Sequence, residues 1–336
     1  MPPAPIPRIE LASAPTPLLK LERLSAELGC ELWVKRDDLT GLLESGAKIR
    51  KLEFVIGEAL AQNADTLITC GTLQSSACRA VAAVAARLGL RGVLALRGTA
   101  PAASEGNLLL ARLLGADVRY CDERAWAAID THLQDFAAEA RRAGRTPYVI
   151  PEGAATVAGA LGYLVCGQEL AQQVHHGAPE FDSIVLPAFT GGSHAGLVMA
   201  AQLTGLRAEI VSVPVRTPVR AVPDTVAAVV GEARVRYGLD VTPPKDVRVL
   251  DAPDGDGETP TREDLAVVAR VARLEGLVLD PRSTARAFRA LLDHLARAPA
   301  SLGRRICFVQ TAGVLDAVPF QGALGALLDE TPLVES

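Results

Sequence analysis

Short apolar runs alternate with longer alanine- and leucine-rich stretches along most of the chain. TLITC (66–70) reads as a buried strand, and 77–88 as a helix closed by Gly89. GVLALR (92–97) is a second strand, and a helix over 104–114 stops at Gly115. ADVRYC (116–121), a helix over 124–143 ending at Gly144, and PYVI (147–150) continue the alternation. A second series runs through SIVLPAF (183–189), a helix from about 194, AEIVSVPV (208–215), a helical pattern over 262–274 and RICFVQ (305–310). Buried runs of Val, Leu and Ile with glycine helix stops predict parallel βα units. No repeat with the period of a solenoid is present. The pattern predicts an α/β protein of two parallel-sheet lobes, with a mobile linker around 243–260.

In open α/β sheets, ligands bind beyond the carboxyl ends of the strands. Three strand-to-helix turns rich in Gly, Ser and Thr lie there: 70–77, 188–196 and 310–314. Thr190-Gly191-Gly192-Ser193-His194 follows a buried run and opens a helix. Its converging N–H groups and the positive helix end make a phosphate cradle; the same pattern also serves as a mere tight connection. The chain lacks both GK(S/T) and GxGxxG at these turns, so a small phosphate held by one turn suits it better than a nucleotide. A further segment, 45–54, carries Gly46-Ala47-Lys48, after which apolar residues recur at Ile49, Leu52, Val55, Ile56 and Leu60 in helical period. Lys48 therefore stands at a helix start, which favours a neutral amine able to form a Schiff base with an aldehyde. On the residues alone, the favoured reading is that Lys48, Arg50 and Lys51 form a solvated basic edge.

Composition narrows the classes. The 336 residues carry 34 Lys+Arg against 39 Asp+Glu, a net charge of −5, which argues against a nucleic-acid binder. No apolar run approaches a membrane-spanning length, and the proline-rich start lacks the regions of a signal peptide, so a cytoplasmic protein is expected. The six cysteines and five histidines show no metal-ligand spacing, so no metal site is expected. The cysteines read as reduced thiols, most of them on buried elements, and His175-His176 reads as solvated.

PTPLLKLERLSAELGCELWVKRDDLTG, SGAKIRKLEF and TLITCGTLQSSACRAVAAVAARLGL together resemble the D-cysteine desulfhydrase and 1-aminocyclopropane-1-carboxylate deaminase family. So do YVIPEGAATVAGALGY (148–163), AFTGGSHAGL (188–197), ARLEGLVLDP (272–281) and CFVQTAG (307–313), in the family's order from about residue 10 to 320. The resemblance implies pyridoxal 5'-phosphate and the tryptophan-synthase-β fold, with the cofactor in the cleft between two domains. It implies a large domain of 1–51 plus 161–336, a smaller inserted domain of 52–160, and a homodimer. By the same resemblance Lys48 holds the cofactor's aldehyde and Thr190, Gly191, Gly192, Ser193 and His194 its phosphate. Thr284 faces the pyridine nitrogen, and Ser76 and Thr311 stand at other cofactor contacts. Ser75 lies over the substrate side as a second catalytic residue, and Gln74, Ser75, Ser76 and Ala77 form the substrate turn.

The departures surround one pocket. Gly46-Ala47-Lys48 replaces the family's GNK, and Gln74-Ser75-Ser76-Ala77 lacks its asparagine. Asp256 and Ser283, behind Arg282, stand where two substrate-facing tyrosines are expected, and Gln310-Thr311-Ala312-Gly313 replaces HTGG. Asp256 and Arg282 either face solvent or mark a pocket for a larger or differently charged amino acid. The expected function is a lyase or deaminase on a β-substituted or cyclic amino acid. A β-replacement or carbon-bond-forming synthase is the alternative, and a catalytically weak cofactor-binding protein a third reading.

Overall fold

The computed structural model describes residues 5–216, 218–251, 255 and 257–330. The strands are β1 (Leu18–Lys20), β2 (Glu31–Lys35), β3 (Thr66–Thr72), β4 (Arg91–Arg97) and β5 (Asp117–Cys121), then β6 (Pro147–Val149), β7 (Ser183–Ala188), β8 (Glu209–Pro214), β9 (Arg248–Val249) and β10 (Arg305–Val309). The helices begin with α1 (Glu22–Leu28), α2 (Ala47–Ala61), α3 (Ser76–Leu88), α4 (Gly106–Leu113), α5 (Glu123–Ala127) and α6 (Ile129–Arg142). They continue with α7 (Val157–His175), α8 (Gly192–Thr204), α9 (Ala221–Tyr237), α10 (Arg262–Glu275), α11 (Thr284–Arg297), α12 (Val314–Ala317) and α13 (Gln321–Glu330).

Two sheets result. One runs β1-β2-β10-β7-β8-β9 and the other β5-β4-β3-β6. Every pairing is parallel except that of β1 with β2. The smaller sheet comes wholly from the chain between β2 and β7, while β2 and β10 from opposite ends of the sequence are neighbours in the larger one. The two-lobe parallel α/β expectation therefore holds. Residues 66–71 and all of β7 are buried, as continuous apolar runs between helical layers must be. Ile49, Leu52, Val55 and Ile56 of α2 are fully buried too, as their helical spacing required.

Two local expectations change. The helix over 124–143 is broken at Ala128, which caps α5 and opens α6. Part of the presumed linker forms β9, whose Arg248 and Val249 extend the sheet beyond β8.

One buried ionic network fixes how α2 enters the site. Arg50 donates from Nε to Asp37 Oδ2 (2.8 Å) and from Nη1 to Glu169 Oε1 (2.6 Å). Lys35 donates to Glu169 Oε2 (3.0 Å), and the Thr16 hydroxyl to Asp37 Oδ1 (2.8 Å). Burial alone would raise the pKa values of Asp37 and Glu169; the Arg50 guanidinium outweighs it and holds both below the usual carboxylate range. Complete pairing is what makes such buried charge tolerable. The network joins β2, α2 and α7 two residues from Lys48.

Candidate active site

A cavity of about 370 Å³ opens at the carboxyl ends of β3, β7 and β10, a size ordinary for a small-molecule site. Lys48 and Lys51 from α2 line it, with Thr72 and the Ser75-Ser76-Ala77 turn after β3, and the 187–194 segment after β7. Asp280, Arg282 and Ser283 before α11, Thr311 and Ala312 after β10, and Asp316 of α12 complete much of the wall.

The start of α2 is clamped to the end of β10. The Ala47 amide donates to the Thr311 carbonyl at 2.9 Å. Gly46 takes φ +60°, and a Cβ there would sit 2.1 Å from the same carbonyl oxygen, so no side chain fits. This places half-buried Lys48 on the cavity wall, its Nζ 5.3 Å from the centre of the Phe189 ring. Burial pulls the Lys48 pKa below that of an ordinary lysine, and nearby Arg282 adds to the effect. Asp316, Asp280 and Glu152 oppose it without reversing it.

Thr190–His194 forms the turn into α8. Gly191 takes φ +93°, and no side chain caps the first N–H groups of the helix. His194 turns inward, its Nδ1 2.7 Å from Ser212 Oγ, and burial pulls its pKa down to about 4, so the ring is neutral. Lys51, 7% exposed, lines the same cavity with no hydrogen bond or ion pair among the described residues. Burial, with help from Lys48, pushes its pKa down to about 7.

Ser75 caps α3 by accepting from the Cys78 amide at 3.2 Å, and Ser76 and Ala77 begin the helix on the cavity wall. Asp316 accepts from Arg79 Nη1 (3.2 Å) and Asn107 Nδ2 (3.2 Å), all three buried. Burial nevertheless raises the Asp316 pKa, against the pull of Arg79 and with the push of Asp280. At the exposed rim Arg216 binds Glu152 (2.8 Å) and Glu258 (2.9 Å).

The profile of the family described as "Pyridoxal-phosphate dependent enzyme" matches residues 9–312. The chain belongs to that family. It is 40% identical over 314 residues to a D-cysteine desulfhydrase of Klebsiella pneumoniae (strain 342), covering 91% of this chain and 94% of that one. A crystal structure of an ACC deaminase homologue is 35% identical, with a TM-score of 0.88 and 97% of each chain covered. A fungal L-serine ammonia-lyase from Rhizomucor miehei, at 17% identity, TM-score 0.68 and coverage of 94% and 98%, shares the fold.

The cofactor of this pyridoxal-phosphate dependent enzyme is accordingly pyridoxal phosphate, and the residues present fit it. A buried ammonium without an acid partner and an uncapped glycine turn share one cavity, which is the donor set a phosphate needs. A half-buried lysine with a depressed pKa fits an aldehyde. Lys51 went unrecognised in the sequence, where it reads as part of a solvated edge; its place three residues after Lys48, on the same helix face, was the available signal.

Of the residues expected at the site, the cavity brings together Lys48, Ser75, Ser76, Ala77, Thr190–His194, Arg282, Ser283 and Thr311. Two expected members lie off its wall. The Gln74 side chain turns to α4, accepting from the Asn107 amide (2.9 Å) and donating to the Glu105 carbonyl (3.2 Å). Thr284 is fully buried behind Ser283 and donates to the Asp280 carbonyl at 3.1 Å, as a threonine in a first helical turn readily does. Ser283 does reach the wall, with its hydroxyl bound to Asp280. Asp256 lies outside the described residues. Asp280 and Asp316, absent from the sequence-based set, stand beside Lys48 instead.

Proposed function

We propose that this enzyme is a lyase or deaminase acting on a small β-substituted or cyclic amino acid. From a β-substituted substrate it removes the α-proton and expels the Cβ substituent, and water then converts the enamine that remains into a 2-oxo acid and ammonia. The carrying observation is one cavity lined by a lysine of depressed basicity, a glycine turn and a second, partnerless lysine. The D-cysteine desulfhydrase and the ACC deaminase homologue among its relatives support the same reaction class.

When bound, pyridoxal phosphate supplies an aldehyde for the substrate amine and a conjugated ring that delocalises the electron pair left at Cα. In this reading Thr190–His194 and Lys51 hold the phosphate, and Ser76 and Thr311 flank the ring. Lys48 Nζ, made less basic than an ordinary lysine by burial, moves the proton at Cα. The Ser75-Ser76-Ala77 turn takes the α-carboxylate, and the Ser75 hydroxyl orients the substrate or relays a proton. Among the described residues no base is hydrogen-bonded to that hydroxyl, which accepts from the Cys78 amide, so nothing activates it as a nucleophile. The same reading makes 1–51 with 161–336 the large domain and 52–160 the inserted one, and takes the protein to be a cytoplasmic homodimer. All four strands of the smaller sheet falling within 52–160 support that division.

The test is the visible spectrum of the wild type and of Lys48→Ala with a panel of D- and L-amino acids, alongside assays for 2-oxo acid and ammonia. A band that shifts with particular amino acids, and turnover that disappears in Lys48→Ala, are expected. Turnover that survives Lys48→Ala refutes the reading. Product formed only with a second substrate makes the enzyme a β-replacement synthase instead.

A further inference from the structure

Four acids line the cavity: Glu152, Glu258, Asp280 and Asp316. Each is held by partners in or behind the wall, two of them sharing one cation. Glu152 and Glu258 both bind Arg216. Asp316 binds Arg79 and Asn107. Asp280 accepts from the Arg282 and Ser283 amides at 3.2 and 2.8 Å and from the Ser283 hydroxyl.

Apart from Arg216, the cations on the wall are less closely matched. Lys48 is the reactive amine, and Lys51 stands with the phosphate turn. Arg282 is the remaining one. Its guanidinium has a 3.4 Å contact to the Gln74 carbonyl and a 3.9 Å contact to Glu258, whose carboxylate is already 2.9 Å from Arg216. Among the described residues no carboxylate lies within hydrogen-bond distance of the Arg282 guanidinium. Its side chain is 18% exposed and extends from the wall beside the substrate turn towards the rim that Glu258 and Arg216 form. A guanidinium has five donors in a fork matched to a carboxylate, and most of them here lack a strong acceptor. Next to it stands Ser283, a small side chain whose hydroxyl is turned to Asp280.

We propose that Arg282 is a specificity residue that receives an anionic group on the substrate's side chain, so that the preferred substrate is an amino acid with a second acidic group beyond Cβ. The inference rests on the lyase reading for its substrate frame, in which the Ser75-Ser76-Ala77 turn holds the α-carboxylate and the side chain is directed to the rim. It adds the charge of that side chain, which the reaction class leaves open.

The test uses two ligands that differ only in charge, S-carboxymethylcysteine and its amide, S-carbamoylmethylcysteine, each as D and L forms. Binding to the cofactor-loaded enzyme is read from the visible band, and turnover separately from 2-oxo acid release. The wild type is expected to bind the carboxylate at least tenfold more tightly than the amide, about 1.4 kcal/mol. Arg282→Gln removes that preference to within about threefold by weakening the carboxylate much more than the amide, in keeping with one lost charge-assisted hydrogen-bond pair. Arg282→Lys keeps part of the preference, which separates loss of charge from loss of fold. A wild type that binds the amide equally well, or binds neither ligand, overturns the proposal. Equal weakening of both ligands in Arg282→Gln also overturns it, because the arginine then serves the α-carboxylate or the wall. A tenfold preference in binding without any 2-oxo acid sinks the lyase reading and leaves the recognition standing.

Discussion

Replacing Lys51 by methionine should stabilise the cofactor-free protein and weaken its hold on pyridoxal phosphate. Lys51 is 7% exposed, with no acid partner among the described residues, and burial pushes its pKa down to about 7. In the unfolded chain it titrates near 10.5. Fully protonated, the buried amine therefore costs about 5 kcal/mol at the upper limit. The penalty is complete below pH 7, where folded and unfolded chains are both protonated. It is relieved as pH rises from 7 towards 10.5, where only the unfolded chain still holds the proton. Between pH 7 and 8.5 the cofactor-free wild type should gain about 1.5 kcal/mol relative to Lys51→Met. Urea denaturation of both proteins in half-unit pH steps measures this. Taking the difference cancels Cys70, Cys78 and Cys307, whose thiols burial raises to about 12 and which act in the opposite direction at high pH. Bound phosphate should restore the proton to Lys51 and remove the slope. A stability difference that is flat across this range, or unaltered affinity for pyridoxal phosphate in Lys51→Met, refutes the reasoning.

Other substitutions probe the supports of the site. Gly46→Ala drives a methyl group to 2.1 Å from the Thr311 oxygen and must move Lys48; a drop of about 100-fold in kcat is expected, together with a loss of about 1–3 kcal/mol in denaturant unfolding from the strained backbone. Ser75→Ala removes the cap on the Cys78 amide and should cost about 1 kcal/mol in denaturant unfolding, plus a separate fall in kcat/KM. Glu169→Gln leaves Arg50 and Lys35 undercompensated in a buried setting and should cost about 3–5 kcal/mol; a change below 1 kcal/mol would mean that water reaches the network.

The strands of both sheets that lie inside helical layers were legible because burial on two faces leaves a continuous apolar signature, as in 66–70 and β7. The break at Ala128 was not, since alanine is the best helix former and nothing local marks an interruption. Arg248 and Val249 carry no strand pattern; only the edge of β8 makes them β9. Lys48 and the 190–194 turn were legible because glycines and a helix start announce them. Asp316 was not, because its place depends on Arg79 and Asn107, more than 200 residues away in the chain. Gln74 left the wall for the same kind of reason, its partners Glu105 and Asn107 lying 31 and 33 residues on, whereas Thr284 turned to the carbonyl of Asp280 four residues back.

The ionic anchor around Arg50 shares no side chain with the cavity wall. Lys35, Asp37, Arg50, Glu169 and Thr16 hold α2 from behind, while the surfaces that meet a ligand's side chain come from short segments at strand ends. Reactivity and selectivity are thus carried by separate sets of residues. New substrate preferences can be explored by exchanging Arg282, Ser283 or the rim charges while the position of the reacting amine is inherited unchanged. A library confined to those positions should retain folded, cofactor-loaded members at high frequency, and one that includes the anchor should not.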